Sequence, residues 1–313
     1  MLNYEEFKEA ITKKFQDALP EEFNVSRVIV QKTNTEKEGL SITGENKVAF
    51  SVYFKDMYEH YLKTNDLSDI VGKTIKCSLL DSTLIEEEQV IEKLNDVEWV
   101  KNHMIMQFIN TERNQELLKT LPHREFLDLS IIYRIIFEAP MEGMSSIIKN
   151  TMAENYNFSE DDLYQIAYEN TRKISEPILL PSSRVYFEMF INEHDEIPDE
   201  LLSLLKQQDV NEKEMYVMTN KSKCYAAAGI LYDDILSELA DKFESDLYVM
   251  PALIHEMMVV SAKEYYDTEI LFDMVKSANE ESVALEEQLS NQVYHYSRET
   301  HTFSIVTRPT YSR

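Results

Sequence analysis

The sequence predicts an α+β protein with mixed or antiparallel sheets and packed helices, and no Rossmann or P-loop core. Three observations carry this. Stretches of period-two alternation and of i, i+4 apolar spacing follow one another without a regular β-α rhythm. The 313 residues are 43% hydrophobic and 28% charged, enough for a sizeable core in one large domain or two smaller ones. Glycine occurs only five times, at Gly39, Gly44, Gly72, Gly143 and Gly229. Phosphate loops need clustered glycines so that backbone can approach the ligand. No G-x-G-x-x-G and no G-x-S-x-G elbow occurs. Gly39-Leu-Ser-Ile-Thr-Gly44 has Walker A spacing, but Glu45-Asn46 stands where Lys-Ser/Thr is required.

Residues 2–18 read as an amphipathic helix, with Phe7, Ile11, Phe15 and Leu19 on one face and Leu19-Pro20 as its stop. Val25–Gln31 alternates as a strand, Asn34–Gly39 reads as a turn, and Leu40–Ile42 and Val48–Tyr53 as further strands. Asp56–Leu62 is a short helix carrying Met57, Tyr58 and Tyr61. These form an α-β-β-β-α unit over residues 1–85. The acidic stretch 80–96 changes register at Glu86-Glu87-Glu88 and reads as a hinge. A main α+β region then covers residues 90–313, or the whole is one continuous domain.

Met104–Phe108 is a strand and Thr111–Leu118 a helix stopped at Leu121-Pro122. Phe126–Phe137, β-branched and aromatic, reads as one central strand, paired with Ser145–Ile148 around a Pro140/Gly143 turn. Ser159 and Asp162 form a capping box ahead of a helix burying Leu163, Ile166 and Ala167. Val185–Ile191 is a strand candidate, and Pro198 starts a helix through Leu205. In the last third, Met215–Thr219 is a strand and Ala226–Phe243 a helix with Leu231, Ile235 and Leu239 on one face. Leu247–Met250 and Met257–Ala262 are strands around a Pro251–His255 loop. Glu264–Val275 is a helix, and Val293–Tyr296 and Thr302–Val306 are short strands.

The 31 Lys and Arg against 57 Asp and Glu give a formal net charge of −26. That field opposes direct binding to a nucleic-acid phosphate backbone. No apolar run approaches the roughly 20 residues that span a bilayer, so no membrane association is expected. No secretory signal is visible at the N-terminus, and the expected location is the cytoplasm. Cys77 and Cys224 lie far apart and form no C-x-x-C pair. They read as reduced thiols rather than a disulfide or zinc site. No cofactor is implied.

Several phrases occur together: "FINTERNQELLKTLPHREFLDLSIIYRI" (108–135), "DDLYQIAYENTRK" (161–173) and "MYVMTNKSKCYAAAGILYDDILSELADKFESDLYVMPALIHEMMVV" (215–260). With "NYEEFKEAI" near the start and "LSNQVYHYSR" (289–298), they resemble an uncharacterised family of bacterial proteins, common in anaerobic gut bacteria, over nearly the whole chain. Residues 174–200 match it least. The resemblance implies a cytosolic α+β protein. It implies no reaction and carries over no catalytic residue.

His255-Glu256 begins as the zinc-peptidase motif H-E-x-x-H would, but Val259 stands where the second histidine belongs. The flanks read as strands, so the pair is a hydrogen-bonding pair at a turn or a site of another kind. His123, Arg124, Glu125 and Asp128 form a second His/acid cluster just before the expected central strand. If the two strand ends meet, His123, Glu125, His255 and Glu256 would offer two imidazoles and two carboxylates to a divalent metal. Alternatively Arg124 and Glu125 make ion pairs and His123 caps a buried turn. In "TNKSKCYAAAG" (219–229), Lys221 and Lys223 flank a helix N-terminus that would hold an anion. The small residues Ala226–Gly229 equally suit tight packing, and Cys224 has no adjacent histidine. Glu193, His194, Asp195 and Glu196 read as a cation chelator or a solvated loop. Three functions stay open: a non-enzymatic binding or regulatory protein with a protein partner, a metal-dependent hydrolase or other enzyme at the His123/His255 region, or an acidic inhibitor mimicking nucleic acid.

Overall fold

The computed structural model describes residues 1–44, 49–76, 87–138, 144–185, 187, 213–265 and 267–308. They fall into two compact units, one within Met1–Val100 and one within Lys101–Phe137 and Gly143–Arg313. All strand pairings among the described residues are antiparallel. No helix among them is long and apolar enough to cross a membrane.

The first unit opens with helix α1 (Tyr4–Ala18). Asn3 and Glu6 close its N-terminus reciprocally, each side chain accepting the other's backbone N–H at 3.0 Å. Its i, i+4 stripe of Phe7, Ile11 and Phe15 is fully buried. Strands β1 (Asn24–Lys32) and β2 (Thr35–Thr43) pair along their whole length. The expected turn at Asn34–Gly39 is therefore corrected to a two-residue loop, Thr33-Asn34, with the remaining residues in β2. Asn34 takes φ 62°, the left-handed conformation that asparagine tolerates and tight hairpins require. Strand β3 (Phe50–Tyr53) pairs with β2. At their contact a Cβ on Gly39 would stand 2.1 Å from the carbonyl oxygen of Val52, so only glycine fits.

Helices α2 (Phe54–Thr64) and α3 (Leu67–Ile75) add Phe54, Met57, Tyr61, Ile70 and Val71 to the core around Leu40 and Ile42. Helix α4 (Glu87–Asn95) occupies part of the expected hinge; the rest of that stretch lies outside the described residues. Helix α5 (Val97–Asn102) follows.

The second unit contains two sheets. In the first, β6 (Leu129–Ile136) is central, with β4 (Met104–Asn110) on one side and β5 (His123–Phe126) and β7 (Ser145–Ile147) on the other. The single strand expected over Phe126–Phe137 is thus corrected to the hairpin β5–β6. Leu127, at φ 56°, turns the chain between them, which strand propensity does not reveal. The short helix α6 (Gln115–Leu118) covers Ile109 and Ile132 together with Leu121. Helix α7 (Asn150–Tyr156) precedes α8 (Glu160–Ile174), whose predicted capping box between Ser159 and Asp162 is present. Helix α8 packs on β4 and β6 through Leu163, Ala167 and Thr171.

The second sheet has the order β13-β12-β10-β11-β9-β8. Its strands are β8 (Ile178–Pro181), β9 (Tyr216–Thr219), β10 (Leu247–Leu253), β11 (Glu256–Ser261), β12 (Tyr294–Tyr296) and β13 (Phe303–Ile305). Residues 182–185 are helical, where a strand was expected to begin at Val185. Residue 187 is helical as well; the other residues of that strand, the Pro140/Gly143 turn, the Pro198–Leu205 helix, Cys77, Glu45-Asn46 and the Glu193–Glu196 cluster lie outside the described residues.

The helix expected over Ala226–Phe243 is a 3₁₀ turn (Ala226–Leu231) followed by α9 (Asp233–Phe243). Tyr232 breaks it with extended ψ. Leu236, Leu239, Ala240 and Phe243 form the buried face of α9, while Leu231 and Ile235 are half-buried. Helix α10 (Thr268–Glu281) begins at the Asp267 cap, four residues later than expected. The 3₁₀ turn touches β4 of the first sheet and β9 and β11 of the second. It is the joint between the two sheets of this unit.

Candidate functional site

Strand β10 continues through Pro251 to Leu253, with a register shift after Met250, so the expected Pro251–His255 loop shrinks to the turn Ile254-His255. The chain before the 3₁₀ turn meets this turn head on. Tyr225 donates its N–H to Nδ1 of His255 at 3.2 Å. Ala226 and Ala227 donate theirs to the carbonyls of His255 and Ile254 at 3.2 and 3.3 Å. The N–H of Cys224 goes to Oδ1 of Asn220 at 3.1 Å. The helix-end donors expected to hold an anion are therefore engaged by the His255 turn, and Lys221 and Lys223 are exposed beside them. The small residues serve packing: a Cβ on Gly229 would stand 2.6 Å from Cβ of Pro177.

Tyr225 itself sits at φ 57°, and its ring contacts two groups of interest. The imidazole of His255 is 5.5 Å away. The guanidinium of Arg134 is 5.1 Å from its centroid. Arg134 projects from central strand β6, where it lies opposite Ile105 of β4. Its Nε donates to Oε1 of Gln107 and its Nη1 to Oγ of Ser145, both at 2.7 Å. Gln107 is fully buried. The guanidinium is thus fixed by β4, β7 and the joint between the sheets.

A guanidinium has five N–H donors. Two are used here, and among the described residues nothing accepts from Nη2. No carboxylate of the described residues pairs with Arg134, although Arg124, Arg172, Arg298 and Arg308 each have one. Burial pulls its pKa below the ordinary arginine value. A cation withdrawn from water even in part loses hydration that no counter-charge here replaces. This chain, with 57 acidic residues, has placed none of the described ones against Arg134. The arrangement suits an anion from outside.

The predicted site residues divide around this point. His123 lies opposite Ile132 on β6, which pairs with Gln107 of β4; it therefore shares a sheet face with Gln107 and, diagonally, with Arg134. Its Nδ1 is 2.9 Å from the carbonyl of Leu121, the turn-capping arrangement expected as one alternative. Glu125 is on the same face and exposed. His255 reaches Arg134 only through Tyr225, and its Nε2 is 3.5 Å from the Glu287 carboxylate. Glu256 is in β11, opposite Leu253.

Arg124 and Asp128 are engaged elsewhere. Arg124 grips Glu160 through Nε and Nη2 at 3.2 and 2.7 Å, reaches Asp161 at 2.5 Å and stacks 4.0 Å over Tyr164. The hydroxyl of the buried Tyr133 also donates to Glu160. Asp128 accepts the hydroxyls of Ser290 and Tyr294, each at 2.5 Å. Among the described residues no three His, Cys, Asp or Glu side chains gather closely enough for a metal ion. The set His123, Glu125, His255 and Glu256 is therefore not assembled.

Sequence reasoning missed Arg134, Gln107, Ser145 and Tyr225. A signal for Arg134 stands in "SIIYRIIF" (130–137): one charge inside an otherwise apolar central strand.

The chain belongs to a family of unknown function, DUF5688, whose model matches residues 4–298. No curated protein and no solved structure matches it.

Proposed function

We propose that this member of the family is a non-enzymatic binding protein of the cytoplasm that recognises an anionic group through Arg134. The observation that carries the reading is a rigidly held, half-buried guanidinium with unused donors and no acid of the described residues beside it. The unassembled His/carboxylate set supports binding over metal-assisted hydrolysis. Interleaved ion pairs such as Arg172–Asp234 and Arg308–Asp273 support it over a carboxylate surface imitating nucleic acid. A partner protein presenting an acidic group fits the same site.

The test is thermal unfolding with a panel of anions at constant ionic strength, on the wild type and on Arg134→Gln. A ligand that binds only the folded state raises the melting temperature in proportion to the logarithm of its concentration. The reading expects a rise with at least one anion, growing with the logarithm of its concentration, that disappears in Arg134→Gln. A rise retained in the variant, or none with any anion, overturns it.

A further inference from the structure

We infer that the anion Arg134 takes is a carboxylate carried on an apolar body, rather than a phosphate; the inference rests on Arg134 being an anion reader. Charge is the first ground. A phosphate ester is close to dianionic at neutral pH and is generally met by several donors or cations together. Among the described residues Arg134 has no lysine or second arginine among its contacts. On the Tyr225 side, Glu287 lies against His255, while Lys221 and Lys223 are exposed to solvent. The whole chain adds a field of −26.

Geometry is the second ground. With Nε and one Nη1 hydrogen spent, three N–H donors remain, one on Nη1 and two on Nη2. An adjacent pair of guanidinium donors matches the two oxygens of a carboxylate through parallel hydrogen bonds. The plane is already fixed by Gln107, Ser145 and the Tyr225 ring, so little side-chain freedom is lost on binding.

The surroundings are the third ground. Arg134 has Ile105 opposite it on β4 and Ile147 opposite it on β7. The half-buried Tyr225 presents its ring to the guanidinium, and the His255 ring lies 5.5 Å from that of Tyr225. An apolar group attached to the carboxylate would pack on the Tyr225 ring, while the remaining polar oxygens of a phosphate would meet few donors. A peptide C-terminus with an apolar last residue and a free aliphatic or aromatic acid share this chemistry.

Calorimetric titration of the full chain decides it, with four probes at fixed ionic strength: an acetylated hexapeptide ending in leucine with a free carboxylate, the same peptide amidated, free 4-methylpentanoate, and inorganic phosphate. The free-acid peptide or 4-methylpentanoate is expected to bind at least tenfold more tightly than phosphate, and the amidated peptide not at all. Peptide binding without 4-methylpentanoate binding assigns the site to chain termini; the reverse assigns it to small acids. Phosphate binding as tight as either carboxylate overturns the carboxylate assignment and leaves anion recognition standing. No binding by any probe, or equal binding of the amidated peptide, overturns the inference; if the anion panel is also silent, recognition through Arg134 falls with it. Arg134→Lys, which keeps the charge but loses the planar fork, is expected to weaken carboxylate binding at least tenfold. Its unchanged binding would also overturn the assignment.

Discussion

The backbone N–H of Tyr225 donates to Nδ1 of His255, and this bond ties the β10–β11 turn to the joint between the two sheets. It places the proton of a neutral His255 on Nε2, toward Glu287. It also fixes the Tyr225 ring against Arg134. The histidine that resembles the start of a zinc motif holds the backbone of Tyr225, whose ring contacts Arg134 on another strand.

Replacing His255 by alanine removes the acceptor and strands the Tyr225 N–H. The expected cost is about 1–2 kcal/mol, read as a lower urea midpoint at constant m-value. Asparagine, which restores an acceptor, should recover part of it. Equal losses for the two variants would count against the bond's role.

Tyr294 and Asp128 join the C-terminal strands to the β5–β6 turn. Tyr294 is buried, and with Tyr133, Tyr232 and Tyr296 its pKa is raised, first by desolvation. The folded state holds these protons more tightly than the unfolded chain does. The stabilisation is complete below the ordinary tyrosine value near 10 and is lost as pH rises above it. Phenolate absorbance should therefore show an early group of exposed tyrosines and a late, cooperative group that coincides with loss of far-ultraviolet ellipticity. Smooth titration of all tyrosines around the ordinary value in a folded protein would contradict the burial.

Gly39→Ala places a methyl against the Val52 carbonyl, where an added Cβ stands at 2.1 Å. The β2–β3 pairing must open to admit it. The expected loss is about 1–3 kcal/mol, measured by thermal unfolding. An unchanged transition would show that the strands separate freely there.

Ser159→Ala removes the hydroxyl that accepts the Asp162 N–H at 3.2 Å. A cap of this kind contributes about 1 kcal/mol. Faster amide exchange in the first turn of α8, with the rest of the helix protected, is the expected signature.

Much of this architecture is legible in the chain because it rests on local signals. The Phe7, Ile11, Phe15 stripe announces α1, and Ser159 followed by Asp162 announces α8. The departures have local causes that periodicity does not carry. Asn34 and Leu127 adopt positive φ, and a left-handed residue that is not glycine leaves no mark in a periodicity count, so a hairpin reads as a turn and two strands as one. The helix over Ala226–Phe243 breaks instead at Tyr232, whose extended backbone (φ −94°, ψ 100°) interrupts an unbroken helical pattern.

The candidate site was legible only in halves. His123 and His255 are visible as residue types, but the position of Arg134 is not. Its contacts with Gln107, Ser145 and Tyr225 span separations set by strand register and the inter-sheet joint. Only the lone charge in "SIIYRIIF" hinted at it.

The most direct measurement is a nuclear magnetic resonance titration of the full-length protein with the free-acid peptide, following the side-chain nitrogen resonances of Arg134. They would be assigned by their loss in Arg134→Lys. The account predicts a saturable shift of the Arg134 Nε and Nη signals, with little change in those of Arg124, already paired with Glu160. Arg134 signals that stay fixed while other residues respond would contradict it.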